Sequence, residues 1–230
     1  MKQGEYGYGL WPLVVINTLV LVIFAASFFR PRTGRDWRAL GGFSAFALAL
    51  FTEMYGFPLT IYLLAGPLGN WFPNLGLTHE QGHLWNDLIG WQGDPHVSPF
   101  HLASYAALVG GFVLLAVAWS RLLSAQRART LATGGLYAHL RHPQYSGFLL
   151  IMVGFLLMWP TIPTVLLFPV LTLVYRRLAI REEREIRERF GAAWDAYAAT
   201  VPRFVPRLVN RRQAAAGRPT APGRAHERAG

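Results

Sequence analysis

The sequence predicts an all-α integral membrane protein with five transmembrane helices, a C-terminal helical hairpin and a cytoplasmic helical extension beyond it. Three observations carry this prediction. Hydrophobic residues make up 53% of the 230-residue chain and charged residues only 15%, where soluble domains carry about a quarter charged. The charges fall in gaps between long apolar runs, each near the roughly 20 residues that cross a bilayer. The basic excess, a formal net charge of +10, sits in those gaps as arginine. That pattern sets membrane orientation and does not form the basic face of a nucleic-acid binder.

The first span is Leu10–Phe29, uncharged throughout. Lys2 and Glu5 precede it, and no small-residue cleavage site follows, so it is expected to remain as a helix and not to be removed as a signal. The second runs from Leu40 to Ala65, interrupted by Glu53 and Pro58, and the third from Pro99 to Ser120. The apolar stretch Ser146–Tyr175 contains Trp159-Pro160-Thr161-Ile162-Pro163. Proline stops a helix, so the stretch reads as a hairpin. One arm spans Pro143–Met158; the other starts near Thr164 and continues past Arg176 as an amphipathic helix to about Phe190.

Arginine fixes the orientation. Arg30, Arg32, Arg35 and Arg38 lie between the first two spans, and Arg121, Arg127, Arg129 and Arg141 between the third and fourth. The segment Gly66–Ser98 has neither Lys nor Arg. Arginine-rich loops stay on the cytoplasmic side. An outside N-terminus, a cytoplasmic C-terminus and an inner-membrane location follow. Residues 1–210 read as a single domain. Residues 211–230, rich in Ala, Gly, Pro and Arg, read as a disordered basic tail that can lean on membrane lipids. The absence of cysteine excludes disulfides, Cys-ligated metals and thiol catalysis.

The stretch Gly135-Leu-Tyr137-Ala-His-Leu-Arg141-His142-Pro143-Gln144-Tyr145-Ser-Gly147 lies where a loop meets the fourth span. Pro143 suits the first helical position. The unpaired N–H groups of a helix start attract anions. Tyr137 and Tyr145 offer aromatic faces to an adenine or a cation. Farther on, Arg181-Glu182-Glu183-Arg184-Glu185-Ile186-Arg187-Glu188 interleaves charges at helical spacing. Alone this describes a solvated helix face. The hairpin, however, returns it to the Tyr137–Tyr145 stretch.

Together with Phe190-Gly191-Ala-Ala-Trp194-Asp-Ala-Tyr197 and Val201-Pro202-Arg203-Phe204-Val205-Pro206, these residues resemble the isoprenylcysteine carboxyl methyltransferase family and its bacterial membrane relatives. The resemblance covers about residues 121–208. Glu53-Met-Tyr55-Gly-Phe-Pro58 also looks like the bacterial branch. The resemblance implies S-adenosylmethionine (SAM) as cofactor, held by Thr130, Leu131, Ala132, Tyr137, His142, Pro143, Tyr145 and Glu183. The family often has His where this chain has Arg129. The arginine that eukaryotic members use on the substrate carboxylate falls near Ala179, flanked by Arg176, Arg177 and Arg181. A lipophilic acceptor drawn from the bilayer is expected, bearing a carboxylate, hydroxyl or amine. Tyr145 and Glu53 are the candidate catalytic residues, Glu53 because an acid at membrane depth is functional by default.

Two other classes remain open on sequence. His79-Glu80-Gln81-Gly82-His83 matches H-E-x-x-H, which on a helix binds zinc and hydrolyses. Gly82 weakens such a helix, and the segment reads as a loop-helix with exposed histidines. Asp87, Asp94, His96 and His101 are possible further ligands, and no residue is assigned to a metal. The Arg-His pattern and hairpin also occur in sterol-reductase-like membrane enzymes that use NADPH.

Overall fold

The structure, a computed structural model, describes residues 9–28, 34–71 and 79–206. The expected tail at 211–230, the N-terminal Lys2 and Glu5, and loop residues Arg30 and Arg32 lie outside the described residues, as do the side chains of Arg35, His79 and Glu80. The helices in chain order are α1 (Trp11–Phe28), α2 (Gly34–Tyr55), α3 (Leu59–Ala65), α4 (Leu84–Leu88), α5 (Pro99–Ala128), α6 (Pro143–Met158), α7 (Ile162–Phe190) and α8 (Ala192–Thr200). Single 3₁₀ turns occur at His79–Gly82, Pro95–Val97 and Gly135–Ala138. The described residues contain no strand, as an all-α reading requires.

Among the described residues, α5 and α7 are long and apolar enough to cross a membrane. A third span results if α2 and α3, bent by 54° at their junction, count as one. The bend falls where the sequence breaks. Pro58 cannot continue α2, and Trp11 packs so closely on Gly56 that a Cβ there would lie 3.1 Å from its ring. Breaking a helix strands N–H groups in apolar surroundings. Glu53 meets one of them: its Oε2 accepts from Thr60 N at 2.9 Å. Thr60 Oγ1 in turn accepts from Ile162 N at 2.8 Å, which fastens α3 to the start of α7.

The hairpin is present. Helix α7 begins at Ile162, two positions before the expected Thr164, because Thr161 acts as its N-cap. Thr161 Oγ1 accepts from Thr164 N and Thr164 Oγ1 accepts from Thr161 N, a reciprocal capping box. The membrane-apolar part of α7 ends before Arg176-Arg177; the charged remainder, with Glu182 to Arg189, extends beyond it.

Glycine sets the main packing, that of α5 on α6. A Cβ on Gly111 would lie 2.6 Å from Ile151 Cγ1, one on Gly147 3.1 Å from Gly111 O, and one on Gly154 2.9 Å from Leu108 Cγ. The two backbones meet over two turns because nothing projects between them, as small residues permit between membrane helices. Against this pair, Phe46 of α2, Phe148, Ile151 and Met152 of α6, and Tyr175 of α7 are fully enclosed. The Tyr175 hydroxyl donates to Ala39 O at 3.1 Å and ties α7 to α2. At the far end, Trp85 Nε1 donates to Leu156 O at 2.7 Å. Outward faces carry apolar side chains such as Ile23, Val109 and Leu166, each about 64% exposed or more, a surface suited to lipid.

Candidate active site

A cavity of about 400 Å³ opens where the end of α5, the start of α6, the charged part of α7 and α8 meet. That volume lies in the range of small-molecule sites. Its floor is apolar, with Ala39 of α2, Trp119 of α5 and Phe148 of α6.

Each wall follows from its local sequence. Helix α5 stops at Arg129, a non-glycine residue in the left-handed region at φ 55°. Thr130-Leu131-Ala132 then runs without regular secondary structure along one side of the cavity. Gly135, at φ +64°, makes the turn that a side chain would strain, and this turn buries Tyr137. The Tyr137 hydroxyl donates to Gln144 Oε1 at 3.2 Å, and its carbonyl accepts from the Tyr197 hydroxyl at 2.6 Å. Burial holds the Tyr137 hydroxyl far above its ordinary pKa, so it acts as a neutral donor. Pro143 opens α6 as expected, with His142 just before it. Tyr145, one turn in, stacks between His142 at 5.7 Å and Tyr175 at 5.4 Å.

The two adjacent glutamates have different tasks. Successive helical residues point about 100° apart. Glu182 borders the cavity; its Oε1 accepts from the Tyr145 hydroxyl and its Oε2 lies 3.4 Å from His142 Nδ1. Glu183 does not border it. It faces the segment after α8, where Arg203 Nε and Nη2 donate to its two oxygens at 2.9 and 2.6 Å. His142 Nε2 lies 3.2 Å and Arg141 Nη1 3.3 Å from Glu183 Oε1. Backbone bonds complete this clasp. Arg141 N donates to Pro202 O, His142 N to Arg203 O, and Ser146 Oγ to Phe204 O. The Pro-x-Phe-x-Pro ending is thus a strap that holds the start of α6 against α7.

The charges of the clasp are mutually supported. Burial opposes ionisation of Glu183, but Arg203, His142 and Arg141 outweigh it and hold the carboxyl at about 2. Burial would lower the pKa of His142; Glu182 and Glu183 reverse that and raise it. The stability that Glu183 contributes is present above its ordinary 4.5 and is lost as pH falls toward 2. That of His142 is complete below its ordinary 6.5 and is lost as pH rises through the raised value. The melting temperature in detergent should therefore be highest between about pH 4.5 and 6.5 as far as these two groups set it. His142→Gln should flatten the alkaline side of that curve. An unchanged alkaline limb would show that His142 is not held charged.

Of the residues singled out on sequence, Thr130, Leu131, Ala132, Tyr137, His142 and Tyr145 border one cavity. Pro143 and Glu183 stand behind its wall. Glu53 lies elsewhere. It is bonded at the α2–α3 break, near the start of α7, and α7 carries about 30 Å of chain between Ile162 and Glu182. Glu53 is not among the residues that border the cavity, and its carboxylate accepts the N–H freed by the broken helix. Gln144, Glu185, Arg189, Trp194 and Tyr197 also line the cavity and were not singled out. Trp194 and Tyr197 stood in the Phe-Gly-x-x-Trp-x-x-Tyr run, and that run was their only signal.

The H-E-x-x-H reading also changes. Residues 79–82 form a 3₁₀ turn, so the histidines four apart do not share an α-helical face. A Cβ on Gly82 would fall 1.9 Å from the Trp159 ring, and that packing explains the glycine. His83, expected to be exposed, is buried.

Residues 102–193, from α5 into α8, match the family model of phospholipid methyltransferases. A curated relative, protein-S-isoprenylcysteine O-methyltransferase B of Arabidopsis thaliana, is 39% identical over 79 residues. That alignment covers 33% of this chain and 39% of the relative's length. No solved structure matches. The resemblance to the isoprenylcysteine carboxyl methyltransferase family therefore stands on two findings besides the motifs, and both are with methyltransferases. Neither finding is with a reductase or a metallohydrolase.

Proposed function

We propose that this chain is a SAM-dependent methyltransferase that acts on a lipophilic acceptor. The observation that carries this reading is the cavity, where six of the eight residues expected to hold SAM meet Glu182 on α7. The side chains around it suit that cofactor. Tyr137, Trp194 and Tyr197 provide aromatic faces, and Glu182 and Glu185 provide carboxylates, set among Arg129, Arg141 and Arg189. Thr130–Ala132, outside any helix, provides backbone groups for polar edges. When bound, SAM supplies a methyl group already activated on a sulfonium.

The protein's part is then to align, to shield and to move a proton where the acceptor has one. The Glu182 carboxylate attracts a cationic centre placed directly beside it on the cavity wall. The apolar floor of Ala39, Trp119 and Phe148 excludes water and suits an aliphatic acceptor. A carboxylate acceptor needs no base. For a hydroxyl or amine, Glu182, hydrogen-bonded to Tyr145, is a proton acceptor on the cavity wall. Direct positioning of donor and acceptor accounts for most of the rate such a site can give.

The wider frame is a single inner-membrane domain over residues 1–210 followed by a basic tail, with five spans: α1, α2 with α3, α5, α6 and α7. The N-terminus is outside and the C-terminus cytoplasmic, with the cavity at the inner boundary. The arginine distribution supports this arrangement. A reporter enzyme fused after Gly230 should read cytoplasmic, and an external reading would reverse the orientation. Membranes with and without the protein, incubated with methyl-labelled SAM, should differ in label extracted into organic solvent. Label confined to the aqueous phase would defeat the lipophilic acceptor.

A further inference from the structure

At the other end of α5 and α6, three imidazoles from separate segments pack on one another. His83 precedes α4, His96 lies in the 3₁₀ turn 95–97, and His101 is in the first turn of α5. Their ring centroids stand 4.8 Å apart for His83–His101, and 5.3 Å for both His83–His96 and His96–His101. His83 and His101 are buried, and His96 is largely exposed. At 1.5 Å per residue, His101 lies about 27 Å along α5 from Trp119 on the cavity floor. The cluster is therefore separate from the proposed methyltransferase site and independent of that reading.

We propose that this cluster binds a divalent first-row transition ion through imidazole nitrogen. Nitrogens about 2.0–2.1 Å from one ion at tetrahedral angles place their ring centres about 5 Å apart. All three observed spacings lie near that value. Imidazole suits zinc, copper and nickel. The second shell is already formed: His96 Nδ1 and Asp94 Oδ1 are 2.9 Å apart, and the same carboxylate oxygen accepts from His96 N. A ligating histidine characteristically gives its other nitrogen to a carboxylate in this way. That bond leaves Nε2 of His96 for the ion. Beside the cluster, Asn86 is buried with its Nδ2 on Pro95 O, while its Oδ1 accepts no hydrogen bond.

As the rings lie, no three donors among the described residues stand within reach of one ion. His96 lies on the exposed 95–97 turn, and the site requires that turn to move with the His96–Asp94 bond kept, carrying Nε2 toward His83 and His101. Such a site would pin the loop that carries His83 and His96 to the start of α5. It requires no hydrolytic role for Glu80.

The test uses the full chain without an affinity tag, purified in detergent, stripped with a chelator and titrated separately with zinc chloride and copper chloride. One ion per chain is expected. The copper-loaded protein should show an electron paramagnetic resonance spectrum with splitting from at least three nitrogens. His96→Ala, at an exposed position that leaves the fold intact, should abolish stoichiometric binding. Asp94→Ala should weaken it about 10–100-fold. Two results would overturn the site: no stoichiometric ion in the wild-type chain, or binding retained in His96→Ala. Either would leave the trio as an aromatic packing cluster.

Discussion

Glu183→Ala is expected to destabilise the protein more than any other substitution in the clasp. The glutamate takes two hydrogen bonds from Arg203 and sits against His142 and Arg141. Removing it leaves Arg203 and Arg141 without their carboxylate and His142 with Glu182 alone as counter-charge. Breaking a buried ion pair by deleting one partner costs about 3–5 kcal/mol. Arg203 is about a third exposed, so water softens the loss and about 3 kcal/mol is the expected figure. The strap at 202–204 should release, and protease cleavage near Arg203 should become faster. Glu183→Gln keeps an acceptor of the same shape and should lose about half as much. SAM affinity should fall in both variants in proportion to the stability lost, because Glu183 does not border the cavity. A fully stable Glu183→Ala protein with lost SAM binding would reverse this assignment and make Glu183 a direct contact.

Glu182 and Glu183 mark where sequence reading stopped. The paired glutamates, the Arg-His-Pro start of α6 and the hairpin were all legible as a pattern. Which glutamate faces the cavity depends on the roll of α7 about its axis. Tyr175, stacked on Tyr145 and bonded to Ala39 O, sets that roll from outside the motif. The partner of Glu183 was equally hidden. Arg203 is 20 residues away, and only the turn at Gly191 and helix α8 bring it back. Local signals did better. Thr161 and Pro163 ended and restarted a helix within two residues of expectation, because capping depends on neighbours in the chain.

Glu53 shows a different limit of the sequence pattern. An acid within an apolar run has two uses, chemistry or the repair of a broken backbone, and composition does not separate them. Pro58, five residues later, was the signal for repair. It breaks the helix, and Thr60 N then needs an acceptor. Gly111, Gly147 and Gly154 were likewise unreadable one at a time. Their purpose depends on α5 and α6 lying side by side, which only the fold reveals.

Glu182→Gln should weaken SAM binding about 10–100-fold while leaving the melting temperature nearly unchanged. A hydrogen bond or contact to a charged group is worth about 1.5–3 kcal/mol, and about 1.4 kcal/mol is tenfold in affinity. The variant keeps an acceptor for the Tyr145 hydroxyl, and Glu183 still holds the strap, so the fold loses little. The discriminating ligand is S-adenosylhomocysteine, which has the same adenosine and amino acid with a neutral thioether in place of the sulfonium. If Glu182 acts through charge, its removal should weaken SAM far more than the demethylated product. Tyr145→Phe keeps the stacked ring and removes the donor to Glu182, so it should leave the SAM preference intact while lowering turnover of a hydroxyl or amine acceptor. Calorimetric titration of both ligands against the three proteins decides the matter. Equal weakening of SAM and product by Glu182→Gln would reduce the residue to a scaffold. No weakening of either would remove the cofactor from this cavity.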